Sequence, residues 1–143
     1  MSVDPGTDRT SSELLDVTLP AELTAIGSVT DTISAVLKRL EIKEEKSQEI
    51  ALAAQEALAN AVVHGCQGDS SKTIRCRLQR DSQGAIVVTV NDPGPGFSPA
   101  AVADPKQPER LYASSGRGIF LIRQLMDEVH FENGGNQITM RKY

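Results

Sequence analysis

Three separated stretches of the chain carry residue types that could do chemistry. In the first, Glu56 and Asn60 stand four apart in a run dominated by apolar residues (Ile50, Leu52, Ala53, Ala54, Ala57, Leu58, Ala59, Ala61, Val62, Val63), and His64 continues the spacing. On a helix such residues share a face. A carboxylate and a carboxamide among buried neighbours are costly unless something satisfies them. A solvated stripe, or a hydrogen bond between the two, would also account for the pair. In the second stretch, Asn91-Asp92-Pro-Gly94-Pro-Gly96-Phe97, the two glycines permit a sharp turn and close approach of a ligand to the backbone. Asp92 could accept a hydrogen bond from an exocyclic amine there, although a plain Gly/Pro turn has the same composition. The third, Ser114-Ser115-Gly116-Arg117-Gly118-Ile119, is a glycine-rich entry to a helix. Unpaired amides at a helix start make an anion site, and a flexible hinge is the alternative. No Walker lysine accompanies it, and no parallel-strand context suits a dinucleotide fingerprint.

The elements that must position these residues are legible from periodicity. Residues 1–12 are polar and read as a mobile tail. Leu14–Leu19 alternates loosely, as a short edge strand would. Pro20 suits the first turn of a helix, and 21–40 repeats apolar residues at helical spacing (Leu23, Ile26, Val29, Ile33, Val36, Leu37, Leu40). A second helix is expected from Lys43 to His64, with Gly65 as its stop. Thr73–Arg80 alternates, with Arg75 and Arg77 on its wet face. Turn residues 81–84 join it to an apolar strand, Ala85–Asn91. No period survives from Asp92 to Ser115, where five of the seven prolines lie. A helix over Ile119–Glu128 and a hairpin of Val129–Glu132 and Gln137–Arg141 complete the order. The fold class is α/β: a two-layer sandwich with a mostly antiparallel sheet and helices on one face.

At 143 residues the chain is about one domain long and needs no disulfide or metal to fold. Aromatics are 3%, Trp is absent and the net charge is −4, which disfavours a nucleic-acid partner. Residues 1–72 carry 12 acidic and 6 basic side chains, residues 73–143 carry 7 and 9, so an anionic ligand finds more cationic company in the second half. Cys66 and Cys76 lack metal-ligand spacing and read as buried free thiols in a reducing compartment. No apolar run approaches a membrane span and no signal-peptide pattern is present, pointing to the cytoplasm and away from a membrane partner.

Taken in order, Glu56-Ala-Leu-Ala-Asn60-Ala-Val-Val-His64-Gly65, Asn91-Asp92-Pro-Gly94-Pro-Gly96-Phe97 and Gly116-Arg117-Gly118-Ile-Phe-Leu-Ile-Arg-Gln-Leu-Met-Asp127 resemble the N, G1 and G2 boxes of the GHKL (Bergerat) ATP-binding fold. The last stretch, through Val129, is most similar to the bacterial anti-sigma-factor serine/threonine kinases. The resemblance spans about residues 14–142. It implies ATP and Mg²⁺ as cofactors, with Asn60 as the metal ligand, Glu56 as the general base and Asp92 as the adenine reader. It further implies that Gly94 and Gly96 shape the adenine side, that Ser115, Gly116 and Gly118 meet the phosphates, that Arg117 meets phosphate or a partner, and that 97–115 is a lid in one domain over 13–143. His64 would be a packing or helix-end residue.

The implied activity is transfer of phosphate from ATP to a Ser or Thr of a small STAS-type antagonist, in a pathway that also includes a sigma factor. Kinases of this type often form homodimers. A non-catalytic ATP-binding regulator that sequesters a partner is the alternative, and an intact Glu56 favours the kinase. Arg75 and Arg77, or the acidic first helices, are the candidate partner surfaces.

Overall fold

The computed structural model describes residues 12–92, 115–132 and 136–143. In chain order these form β1 (Ser12–Pro20), α1 (Ile26–Arg39), α2 (Glu44–Asn60), β2 (Thr73–Arg80), β3 (Ile86–Asn91), α3 (Ser115–Leu125), β4 (Glu128–Glu132) and β5 (Gln137–Lys142). The strands make one five-stranded sheet in the order β1-β2-β3-β5-β4. Every pairing is antiparallel.

Alternation decides which face of the sheet is buried. Ile74, Cys76 and Leu78 of β2, Ile86, Val88 and Val90 of β3, and Ile138 and Met140 of β5 join one apolar cluster with the helices. Arg75 and Arg77 point the other way. There Arg75 donates to Asp16 at 2.9 and 2.6 Å and Arg77 to Glu13 at 2.8 Å, tying edge strand β1 to β2. The two candidate partner-binding arginines are thus already engaged within the sheet. Both cysteines are buried free thiols. Burial pushes the Cys76 thiol up to about 12. Burial, followed by the Asp92 carboxylate, raises that of Cys66, so neither is a ready nucleophile.

Several boundaries differ from the expectation. The edge strand is longer than Leu14–Leu19 and includes Ser12; Leu14 is the extra residue of a bulge where the register shifts between Glu13 and Leu15. Pro20 ends this strand opposite Thr73 instead of starting a helix. Glu22 is extended and Leu23–Ala25 makes a single 3₁₀ turn, so α1 begins at Ile26. Leu23, counted in the helical repeat, is 59% exposed. The third helix starts at Ser115 and ends at Leu125, and Glu128 belongs to β4. Ser115 is therefore part of a helix and not of the long loop.

The α1–α2 corner is a Schellman closure. The Glu41 N–H donates to Lys38 O at 3.0 Å and the Ile42 N–H to Leu37 O at 3.1 Å, with Glu41 at φ 59°. A residue with a Cβ is strained in that conformation. Glu41→Gly should raise stability by about 1 kcal/mol. The urea midpoint should move up with the slope unchanged; an unmoved or lowered midpoint would contradict the assignment.

Candidate nucleotide site

Helix α2 presents small residues inward. Ala53, Ala54 and Ala57 are buried, and this lets α3 and the sheet approach closely. Past Asn60 the chain does not continue as α-helix to His64. Residues Ala61–Gly65 form a π-turn, with the Cys66 N–H donating to Ala61 O at 2.8 Å. Such wide turns gather at functional sites. His64 therefore does not extend the Glu56–Asn60 line at α-helical spacing. It is partly buried, and burial holds its pKa below the usual imidazole range.

Asp92 arrives by strand alternation. Ile86, Val88 and Val90 face inward, and the next residue in phase is Asp92. Its N–H donates to Asn136 O at 2.9 Å, which extends the β3–β5 ladder one step and fixes the side chain on the inner face. There the residue is 4% exposed.

Asn60 and Asp92 line one cleft, together with Ala57, Ala61, Val90, Phe131, Asn136 and Ile138. The walls are apolar and the polar groups few, the usual composition of a small-molecule site. The third stretch meets Glu56 and Asn60. A Cβ built at Gly118 would lie 3.1 Å from Glu56 Oε2 and 3.5 and 3.6 Å from the Asn60 amide atoms. Gly118 thus lets the first turn of α3 pack directly on Glu56 and Asn60. A Cβ at Gly65 would lie 2.3 Å from Asp92 Cγ.

Glu56, Asn60, Asp92 and Gly118 are therefore neighbours, although they come from three distant parts of the chain. Ser115, Gly116 and Arg117 open α3 with Gly118. Gly94, Gly96 and the lid expected over 97–115 lie, except for Ser115, outside the described residues. Sequence reasoning missed three contributors. Phe131 and Asn136 sit on the last hairpin, whose sequence pattern shows only strand and glycine turn. Phe131 has the inward phase of β4, and its ring carries the Arg123 guanidinium at 5.9 Å on α3. Gly65 has the sequence signature of a helix stop, whereas in the structure its lack of a side chain makes room for Asp92.

Among the described residues, no group of three or more His, Cys, Asp or Glu could hold a metal ion. A metal here would rest on few protein ligands. Mg²⁺ tolerates that arrangement, because it keeps several waters and takes the rest of its ligands from substrate phosphates. The neutral amide oxygen of Asn60 fits that donor set. No helix among the described residues is long and apolar enough to cross a membrane.

Residues 19–142 match the family model described as the histidine kinase-like ATPase domain. A serine-protein kinase, RsbW of Halalkalibacterium halodurans, is 29% identical over 138 residues, covering 92% of this chain and 83% of the relative. An anti-sigma F factor of the same organism is 32% identical over 104 residues, covering 68% of each. Among solved structures, one of the SiaB–SiaC complex from Pseudomonas aeruginosa matches with a TM-score of 0.62 at 14% identity, over 92% of this chain and 89% of that one. The RsbU and RsbW domains of a Mycobacterium tuberculosis protein match with a TM-score of 0.60 at 21% identity, over 90% of this chain and 31% of that one. These structural likenesses speak for the fold.

Proposed function

This chain belongs to the histidine kinase-like ATPase domain family, and within it to the anti-sigma-factor serine kinases, and from that premise we propose that it transfers phosphate from ATP to a serine or threonine of a small antagonist protein. The antagonist is of the STAS type and alternates with a sigma factor as partner. The reading puts the protein in the cytoplasm, as one ATP-binding domain over 13–143 with 97–114, the segment before α3, as its lid. One observation carries it: Asn60 lines a cleft with Asp92 and stands, beside Glu56, against Gly118 in the first turn of α3.

Each side chain then has a task. Asp92 accepts from the exocyclic amine of adenine, and Ala57, Val90, Phe131 and Ile138 supply apolar walls to the base. Gly94 and Gly96 would shape the adenine side of the pocket. Ser115, Gly116, Arg117 and Gly118 meet the phosphates at the start of α3, where helix amides favour anions. Glu56 takes the proton from the attacking hydroxyl. The hydroxyl oxygen bonds to the γ-phosphorus, the bond from phosphorus to the bridging oxygen breaks, and ADP leaves. Asn60 Oδ1 would hold Mg²⁺, which when bound offsets the negative charge on the phosphates.

The test is label transfer. With γ-labelled ATP and Mg²⁺, label should appear on a hydroxyl side chain of the antagonist. ATP binding with no transfer to a cognate antagonist would overturn the kinase reading in favour of a regulator that only sequesters its partner. Asn60→Ala should weaken ATP binding about tenfold in Mg²⁺ and little in EDTA. A metal titration that the substitution leaves unchanged would contradict the role of Asn60.

A further inference from the structure

We infer that Gly65 is a positioning residue for base recognition: the missing side chain at 65 is what allows Asp92 to hold its carboxylate in the cleft, and so underlies a preference for adenine over guanine. The inference rests on the nucleotide reading above and assigns a determinant of specificity within that site.

Glycine at this position is not demanded by backbone conformation. Among the described residues, the glycines with positive φ are Gly68 and Gly84. Gly65 lies inside the π-turn, a helical setting in which glycine is among the poorest choices. Space supplies the reason. A Cβ at 65 would stand 2.3 Å from Asp92 Cγ, 2.3 Å from Oδ2 and 2.6 Å from Oδ1, far inside any real carbon contact. Because Cγ is a single bond from the Asp92 Cβ, the carboxylate cannot yield by a small bend at its tip. It must change rotamer and leave its place, or the π-turn must move. The Asp92 backbone is held by its bond to Asn136 O at 2.9 Å, and the turn by Cys66 to Ala61 O at 2.8 Å, so the rotamer is the softer choice.

The chemistry makes the consequence selective. Adenine presents an amino donor where guanine presents a carbonyl acceptor. A carboxylate in the cleft attracts the first and repels the second. A displaced carboxylate loses the attraction and relieves the repulsion, so both changes narrow the difference between ATP and GTP. A glycine that served only to stabilise the turn would not move that ratio.

Calorimetry with ATP and GTP, paired with thermal denaturation, tests this. Gly65→Ala should weaken ATP binding about tenfold or more and lower the ATP-to-GTP affinity ratio by at least as much. Gly27→Ala, in α1 with nothing within 4 Å of its added Cβ, should leave both unchanged. In an Asp92→Ala background the steric conflict is gone, so Gly65→Ala should cost little or no melting temperature there. That double variant keeps the test readable if the single one fails to fold, since recovery of the fold supports the inference. An equal loss of stability in both backgrounds would overturn it. So would an unchanged nucleotide ratio in a folded Gly65→Ala protein whose parent binds ATP. A parent that binds no ATP would instead overturn the nucleotide reading itself, and this inference with it.

Discussion

Glu56→Gln should slow phosphoryl transfer to the antagonist by about 10²- to 10⁴-fold while ATP affinity stays close to that of the parent. Glutamine copies the shape of glutamate, and shape matters here because Gly118 leaves only 3.1 Å between its would-be Cβ and Glu56 Oε2. The packing of α3 on α2 should therefore survive. What disappears is the ability to accept the proton of the attacking hydroxyl, which matters in the transition state and hardly at all in the bound ground state. The signature is a fall in single-turnover rate with an unchanged dissociation constant. A Gln variant that transfers phosphate at the parental rate would remove Glu56 from the mechanism.

The second large effect falls on binding. Asp92→Asn should weaken ATP binding about tenfold to hundredfold, more than Glu56→Gln does. Asparagine fits the space left by Gly65, so the substitution tests charge more than volume. A buried carboxylate gives a charge-assisted hydrogen bond to an amino group, and the amide that replaces it gives a weaker one and brings an extra donor. The residue is 4% exposed, so water cannot make up the difference. Equal ATP affinity for Asp92→Asn and the parent, measured by calorimetry, would sink the assignment.

Much of the scaffold was legible because strands and helices write their period into the sequence. Ile74, Cys76 and Leu78 alternate with polar neighbours, and the structure buries those three. The spacing of Ile26, Val29, Ile33, Val36 and Leu37 likewise marks the buried side of α1. What the period could not show was where it changes. Ala61, Val62 and Val63 are apolar on every side, so they carry no phase that would separate a π-turn from an α-helix. Gly116 and Gly118 are poor helix formers, and they hid the first turn of α3. Pro20 suits both a helix start and the end of an edge strand. Which of the two it occupies is decided by pairing with Thr73, 53 positions away. The cleft was legible as three separate pieces. The closeness of Gly65 to Asp92 and the inward phase of Phe131 are long-range facts, and no local pattern encodes them.

The strand order has a consequence for biosynthesis. β5 is the last of the five described strands, yet it lies between β3 and β4. A nascent polypeptide halted before Gln137 exposes β3 as a bare edge and β4 with no neighbour at all, a state open to pairing with other chains. It also lacks Ile138, one wall of the cleft. A chain truncated there thus lacks both the central pairing of the sheet and a complete cleft, and both are gained when β5 joins.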